Sequence, residues 1–294
     1  MNETFEYSVR NPQVPVAYAA GAFMHTECEI IMPYAAKEEA EDAVNEAWKI
    51  IAGDEGRFNR HSRTSKLFEV NRDAHSRPVE VDEDTFMALE LCQTFTKATG
   101  GWFDISANPQ SRSEKRRWSL DPSSRTVSFG TAGMRLDLGG FAKGYSLEKV
   151  VNMLKEWGLN CALISFGGSS LAALGSHPYG DGWPVGVAHP YFRTKNAWSL
   201  MLKDSSMSFS GKDPHGRGHI IDPRSGNIVE KEEIIAVEGL SPMICEVLST
   251  ALWIAPDGER EEIAGNFDGY ICRSIVPNAD GSATIKKIGY DAQK

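Results

Sequence analysis

LDLGGFAKGYSLEKV, residues 136–150, changes character in the middle. It reads as a strand that stops at paired glycines, passes one lysine, Lys143, and restarts as a helix. Paired glycines let a backbone come close to a ligand, and a helix starting there aims its free amides and the positive end of its dipole at any anion. A phosphate is the natural occupant of such a turn. The spacing is neither GxxxxGK[ST] nor GxGxxG, so the two commonest phosphate motifs are excluded.

Working outward, KEEAEDAVNEAWKII (37–51) places Ala40, Ala43, Val44, Ala47, Trp48 and Ile51 on one face with acids opposite, which predicts a surface helix. A second helix is expected over Asp82–Thr99, stopped by Gly100. A third is expected over 144–157, with Leu147, Val150, Val151 and Leu154 inward and Gly158 ending it. SPMICEVLSTALWI (241–254) is the fourth, with Ser241 as N-cap and Pro242 at the first helical position. Between them lie short β-rich runs: CEIIM, CALISF, WPVGVAH, GHIID and EEIIAV. The mixture lacks a βαβ rhythm and predicts an α+β fold rather than a doubly wound sheet. Residues 176–182 and 211–218 are rich in Gly, Pro and Asp and are expected as surface loops, neither of them an interdomain linker. At 294 residues the chain has the length of one large domain or two ordinary ones, and no linker is seen dividing 1–294.

Composition narrows the class of function. The 294 residues carry 40 acids against 31 basic residues and no Lys/Arg run, so no nucleic-acid partner is expected. The first residues, MNETFEYSVRNPQVPVAYAAGAF, have acids where a secretory signal needs basic residues, and no apolar stretch long enough for a membrane span follows. A cytoplasmic location is the expectation. Five scattered cysteines without CxxC or Cys/His spacing suit a reducing compartment and read as small buried hydrophobes.

Two stretches can carry chemistry by residue type. Glu246 and Thr250, four apart on the fourth helix, put a carboxylate and a hydroxyl on one face. That pair suits a hard cation such as Mg²⁺, which takes the rest of its octahedron from water and phosphate; a solvated or capping pair is the plainer alternative. HIIDPRSG (219–226) sets His219 at the head of a short apolar strand that ends in a turn. His219 there can act as a general base or phosphate donor and Arg224 as an anion contact, or each can be a loop cap or surface charge.

Taken in order, the segments resemble the ApbE family, the FAD:protein FMN transferases. FMHT (23–26) is similar to the family's MgT, SKLFEVN (65–71) to SelsrlN, and GGWFDIS (100–106) to GgfDpT. LDLGGFAKGYSLEK matches the central family signature almost residue for residue. LISFGG, GWPVGVAHP, SFSGKD with HIIDPRSG, and ICEVLSTAL then follow in family order. The resemblance implies a mixed α/β fold of two lobes with FAD in the cleft between them and a divalent cation, Mg²⁺, on its pyrophosphate. It further implies transfer of FMN from FAD to a Thr or Ser hydroxyl of an acceptor protein, with release of AMP. FAD hydrolysis to FMN and AMP, or FAD binding without transfer, are the alternatives. By matching position, Met24, Asp104, Asp137, Lys143 and His219 would contact FAD or the reacting phosphate. The Gly140 carbonyl, Glu246 and Thr250 would hold the metal. Catalysis would rest on Lys143 for charge and on His219, or Asp222 near it, for the proton.

The chain departs from the family pattern in three places, one of them the aromatic that precedes SelsrlN in the family, for which GRFNRHSRTSKLF (56–68) offers Phe58 or His61. Glu246 stands where the family has Asp, an arm longer by one methylene, about 1.5 Å. Phe209 and Lys212 stand where the family offers a hydroxyl and an acid.

Overall fold

The computed structural model describes residues 3–107, 118–212 and 220–289. Its elements begin with β1 (Thr4–Ser8), β2 (Val16–Phe23), β3 (Thr26–Pro33), α1 (Lys37–Phe58) and α2 (Lys66–Asp73). Next come β4 (Val79–Glu80), α3 (Glu83–Ala98), β5 (Trp118–Asp121), β6 (Thr126–Phe129) and α4 (Ala142–Glu156). Strands β7 (Ala162–Phe166), β8 (Ser170–Leu174), β9 (Trp183–His189), β10 (Phe192–Leu202), β11 (Ser205–Ser210) and β12 (Ile234–Gly239) follow. Then come α5 (Pro242–Ile254), α6 (Asp257–Gly265), β13 (Ile271–Pro277) and β14 (Ala283–Ile288).

Among the described residues, nine strands form one sheet in the order β1-β2-β3-β7-β8-β11-β12-β13-β14. Every neighbouring pair in it is antiparallel. This is the expected α+β arrangement: hairpins and long returns replace parallel crossovers, so helices need not alternate with strands. Two smaller sheets, β9 with β10 and β4-β6-β5, stand apart from it.

Side-chain alternation sorts the apolar residues into three cores. Ala17, Ala19, Ile30, Met32, Ile164 and Phe166 of the sheet meet α1 and α4 in one. Ile235, Val237 and Cys272 meet α3, α5 and the 134–145 segment in another. Leu171, Ala173 and Met207 meet Trp183, Val185 and Leu202 of the β9–β10 hairpin in the third. Strand β8 is buried on both faces because Ala172 and Leu174 point to one core while Leu171 and Ala173 point to another.

Three expected helices appear close to their predicted bounds. Asp82 caps α3, its carboxylate accepting from the Thr85 N–H at 3.1 Å, and Ser241 caps α5 through the Ile244 N–H at 3.1 Å. Helix α1 runs seven residues beyond the predicted end at Ile51, through Gly53 and Gly56, to Phe58. Its later turns carry Asp54, 0 % exposed, whose carboxylate accepts from Lys149 Nζ at 2.8 Å and Ser146 Oγ at 2.9 Å of α4. The helix also buries Trp48, Ile51 and Phe58. Burial at roughly 2 kcal/mol per large side chain outweighs glycine costs of about 1 kcal/mol each. The short helices α2 and α6 were not foreseen from periodicity.

Among the described residues of the expected GHIID strand, 220–222, no strand forms. Gly218 and His219 lie outside the described residues, and Ile221 makes only an isolated bridge to Ile228. Pro223 has no N–H for a ladder, and the Asp222 carboxylate instead accepts from the Arg224 N–H at 2.7 Å and from Ser225 Oγ at 2.7 Å, bending the chain. The 176–182 loop is a loop, while 213–218 of the second predicted loop lie outside the described residues. All five cysteines are free; burial pushes the thiols of Cys28, Cys92, Cys161 and Cys245 up and that of Cys272 up to about 12, as suits packing groups. No helix among the described residues is long and apolar enough to cross a membrane.

Helices α4 and α5 pack closely at Gly144. A side chain there would meet the Pro242 carbonyl at 2.7 Å, Met243 Cα at 2.8 Å and Glu246 Oε2 at 2.8 Å, whereas Gly56 on α1 has nothing within 4 Å. The same substitution should therefore have opposite signs at the two sites. We expect Gly144→Ala to cost about 1–2 kcal/mol net of the helix propensity gained, and Gly56→Ala to add about 0.5–1 kcal/mol. Urea unfolding of both variants beside the wild-type chain measures the pair; equal shifts would contradict the close α4–α5 contact.

Candidate active site

The LDLGG turn is fastened before it reaches α4. Asn71 on α2 grips Leu136 twice, Oδ1 accepting its N–H at 2.7 Å and Nδ2 donating to its carbonyl at 2.9 Å. The Asp137 N–H donates to the Ile105 carbonyl at 2.7 Å, which lays the GGWFDIS turn beside the LDLGG turn. Asp137 Oδ1 accepts from the Gly139 N–H at 3.0 Å, and its Oδ2 pairs with Arg60 at 3.2 Å. Asp104 accepts from the Ser106 N–H at 2.8 Å and Ser106 Oγ at 2.6 Å. The two expected aspartates thus stand on adjoining turns, each fixed by its own local bonds.

Lys143 does not point at open space. Its ammonium donates to Glu246 Oε1, and the Gly144 N–H donates to Glu246 Oε2. Phe141, the N-cap of α4, provides no side-chain acceptor, so the helix start takes its anion from α5. Glu246 is 3 % exposed, and its buried charge is compensated by the ammonium and the helix end together. Thr250, one turn on, faces Gly140, where a side chain would meet Thr250 Oγ1 at 3.4 Å. Lys143, Gly140, Glu246 and Thr250 are thereby brought to one place, the crossing of α4 over α5.

Thr250 is in turn held by the sheet. Ser210 Oγ lies 3.4 Å from Thr250 Oγ1 and 2.9 Å from Ser249 Oγ, which donates to Ser208 Oγ at 3.2 Å. Ser208 and Ser210 face α5, while Met207 and Phe209 alternate to the third core. Phe209 therefore faces away from Glu246 and Thr250. Lys212 pairs with Glu232 at 2.7 Å.

Met24 sits at the tip of the β2–β3 hairpin with φ +48°, followed by His25 at φ +63°. A two-residue turn with both centres left-handed normally takes Asn-Gly, so bulky residues there are held against their preference, a feature common at functional sites. The side chain of Met24 packs against both the α1–α4 core and the α3–α5 core.

Asp222 is reached through a bracket that residue patterns did not reveal. The Arg224 guanidinium lies over the Trp102 ring at 3.7 Å and donates to Glu259 at 3.1 and 3.3 Å. The Trp102 indole N–H donates to the same carboxylate at 2.7 Å. The bracket joins the turn of Asp222 to the turn of Asp104, with α6 as the anchor. The indole N–H of Trp102 has the largest effect on the Glu259 carboxyl; burial opposes it, and the hydrogen bond and charge of Arg224 add to it, leaving the carboxyl below the ordinary glutamate range. His219 lies outside the described residues.

The oxygen donors at the α4–α5 crossing match a hard cation in kind. Among the described residues no cluster of three His, Cys, Asp or Glu offers a ready metal cage. One carboxylate, one hydroxyl and one carbonyl are nevertheless enough protein for Mg²⁺, and each Glu246 oxygen retains a second lone pair beyond its present donor.

Comparisons with known proteins agree with the family resemblance. The model of the ApbE family matches residues 24–271. The FAD:protein FMN transferase of Treponema pallidum is 28 % identical over 291 residues, covering 82 % of this chain and 78 % of that protein. The protein of the same name from Klebsiella pneumoniae is 23 % identical over 242 residues, covering 69 % and 74 %. Among solved structures, the flavin transferase ApbE from Vibrio cholerae superposes with a TM-score of 0.77 at 18 % identity, covering 93 % of this chain and 97 % of that one. The ApbE protein from Thermotoga maritima gives 0.77 at 18 % identity, covering 97 % of each. At that identity the two structures establish a shared fold.

A depressed carboxyl contributes to folding above the ordinary value and loses that contribution as pH falls through its lower native value. The Trp102–Arg224–Glu259 bracket should accordingly hold below pH 4.5, the usual glutamate value, and release only in stronger acid. The indole N–H resonance of Trp102, followed by NMR from pH 7 downward, should titrate with a midpoint under 4.5, and Glu259→Gln should remove that titration. A midpoint at or above the usual value would contradict the bracket.

Proposed function

The chain belongs to the ApbE family, and we propose from that premise that it is an FAD:protein FMN transferase. The observation that carries the reading is the meeting of Lys143, Gly140, Glu246 and Thr250 at the α4–α5 crossing, beside the turns of Asp104 and Asp137. Residues 1–294 are read as one transferase domain of two lobes. FAD is the substrate, bound with Met24, Asp104, Asp137 and Lys143 around it.

In the reaction, the oxygen of an acceptor Thr or Ser hydroxyl forms a bond to the phosphorus of the FMN half. The bond from that phosphorus to the bridging pyrophosphate oxygen breaks, and AMP leaves with the electron pair. The hydroxyl proton goes to His219 or to Asp222, whose turn the Arg224–Trp102–Glu259 bracket fastens to the Asp104 turn. Lys143 brings positive charge to the pyrophosphate oxygens. The Gly140 carbonyl, Glu246 and Thr250 would hold Mg²⁺, which when bound neutralises pyrophosphate charge. Ser210 and Ser249 keep the Thr250 hydroxyl oriented. Asn71 and Arg60 hold the LDLGG turn so that neither Asp137 nor the start of α4 drifts.

Intact-mass analysis of an acceptor protein incubated with FAD, Mg²⁺ and the chain tests this directly. A gain of one FMN with one AMP released is the expected result. Free FMN and AMP without a mass gain would make the chain a FAD hydrolase, and tight FAD binding without turnover would make it a flavin-binding protein. Lys143→Ala should weaken FAD binding by calorimetry about tenfold or more, the loss expected for one charge-assisted contact. Thr250→Ala should lower AMP release about 100-fold with the fold intact, since displaced catalytic groups are costly.

A further inference from the structure

Resting on the transferase reading, we propose that Lys143 and a divalent cation compete for the Glu246 carboxylate, so that binding the metal and freeing Lys143 for the pyrophosphate are a single event. The structure already commits both Glu246 oxygens. Oε1 takes the Lys143 ammonium and Oε2 takes the Gly144 N–H, in a place where the Lys143 and Glu246 side chains are only 20 % and 4 % exposed. The two side-chain methylenes of Glu246 carry its carboxylate across the helix crossing to both donors at the start of α4.

Charge arithmetic makes the two cations rivals. A carboxylate that carries an ammonium is already neutralised, and a divalent ion brought to the same oxygens meets repulsion that buried surroundings screen poorly. The rivalry is confined to the α4–α5 crossing, because Asp137 and Asp104 are engaged on their own turns and Thr250 and Gly140 bear no charge. When the metal takes Glu246, the ammonium loses its partner and turns to the nearest remaining anion, which on the transferase reading is the FAD pyrophosphate. Linkage then requires the reciprocal effect: a nucleotide that draws Lys143 away leaves Glu246 open to the metal.

The test uses Mn²⁺ alone, without FAD, titrated into the full chain and read by electron paramagnetic resonance of free Mn²⁺. Lys143→Met removes the charge at similar length and should tighten Mn²⁺ about tenfold, within the usual span of coupling between sites. Lys143→Arg keeps the charge and should bind Mn²⁺ as weakly as the wild type. Glu246→Gln should abolish the binding. Unchanged or weaker binding by Lys143→Met, with Glu246→Gln still deficient, would overturn the competition and leave the metal reading standing. Mn²⁺ binding that is indifferent to Glu246→Gln, or absent from every form, would overturn both. Reductive methylation of the wild-type chain, mapped by peptide mass, needs no variant: Mg²⁺ should speed labelling of Lys143, and an unchanged rate would also overturn the proposal.

Discussion

The buried carboxylate of Glu246, set against the start of α4, is the contact on which the centre of the molecule depends. A helix start without a capping side chain needs an acceptor for its amides, and a carboxylate with 3 % exposure needs a compensating charge. Each need is met by the other. Gly144 makes the meeting possible by presenting no side chain where α5 passes, and Lys143 completes the charge balance. The consequence is architectural as well as electrostatic. Helix α4 sends Ala142 and Tyr145 into one core and Leu147, Val150 and Leu154 into another, so its placement couples the two.

Alternation along the strands then decides which chemistry faces that crossing. On β11 the hydroxyls of Ser208 and Ser210 turn to α5 while Met207 and Phe209 turn to the third core. A substitution as large as Phe209 is therefore absorbed by a different layer from the one that holds Thr250. On the same principle β8 is buried throughout, since both its faces are covered. The sheet acts as a sorter: adjacent residues in sequence serve opposite sides.

Polar brackets hold the loops that no strand holds. Arg224 stacks on Trp102 and shares Glu259 with it, so two turns distant in sequence move as one. At the β2–β3 tip, Met24 and His25 keep left-handed backbone that their side chains disfavour. The packing of Met24 against two cores is what sustains that conformation. Both features place rigidity at the edges of the proposed site, where a loop left to itself would be mobile.

Local patterns were enough to locate α3, α4 and α5, to reject a doubly wound sheet, and to set Glu246 beside Thr250 on one helical face. Each of these follows from caps, breakers and the helical period, all of them short-range properties of the chain. The resemblance added an ordered set of residues and their expected ligands without saying which side chains of this chain each one meets. The apolar face read over 37–51 ends at Ile51, and Gly53, Asp54 and Gly56 beyond it add no apolar residue to that face. Only contact with Ser146 and Lys149, over ninety positions away, turns Asp54 into an inward residue. The described end of the GHIID run, 220–222, is bent out of any strand where Asp222 takes the Arg224 amide. Tertiary structure likewise decided that Lys143 meets Glu246, that Phe209 faces away from Thr250, and that Trp102, Arg224 and Glu259 form one unit. Charge pairing and hydrogen bonding across the fold depend on distance in space, and distance in space is set only when three cores have packed.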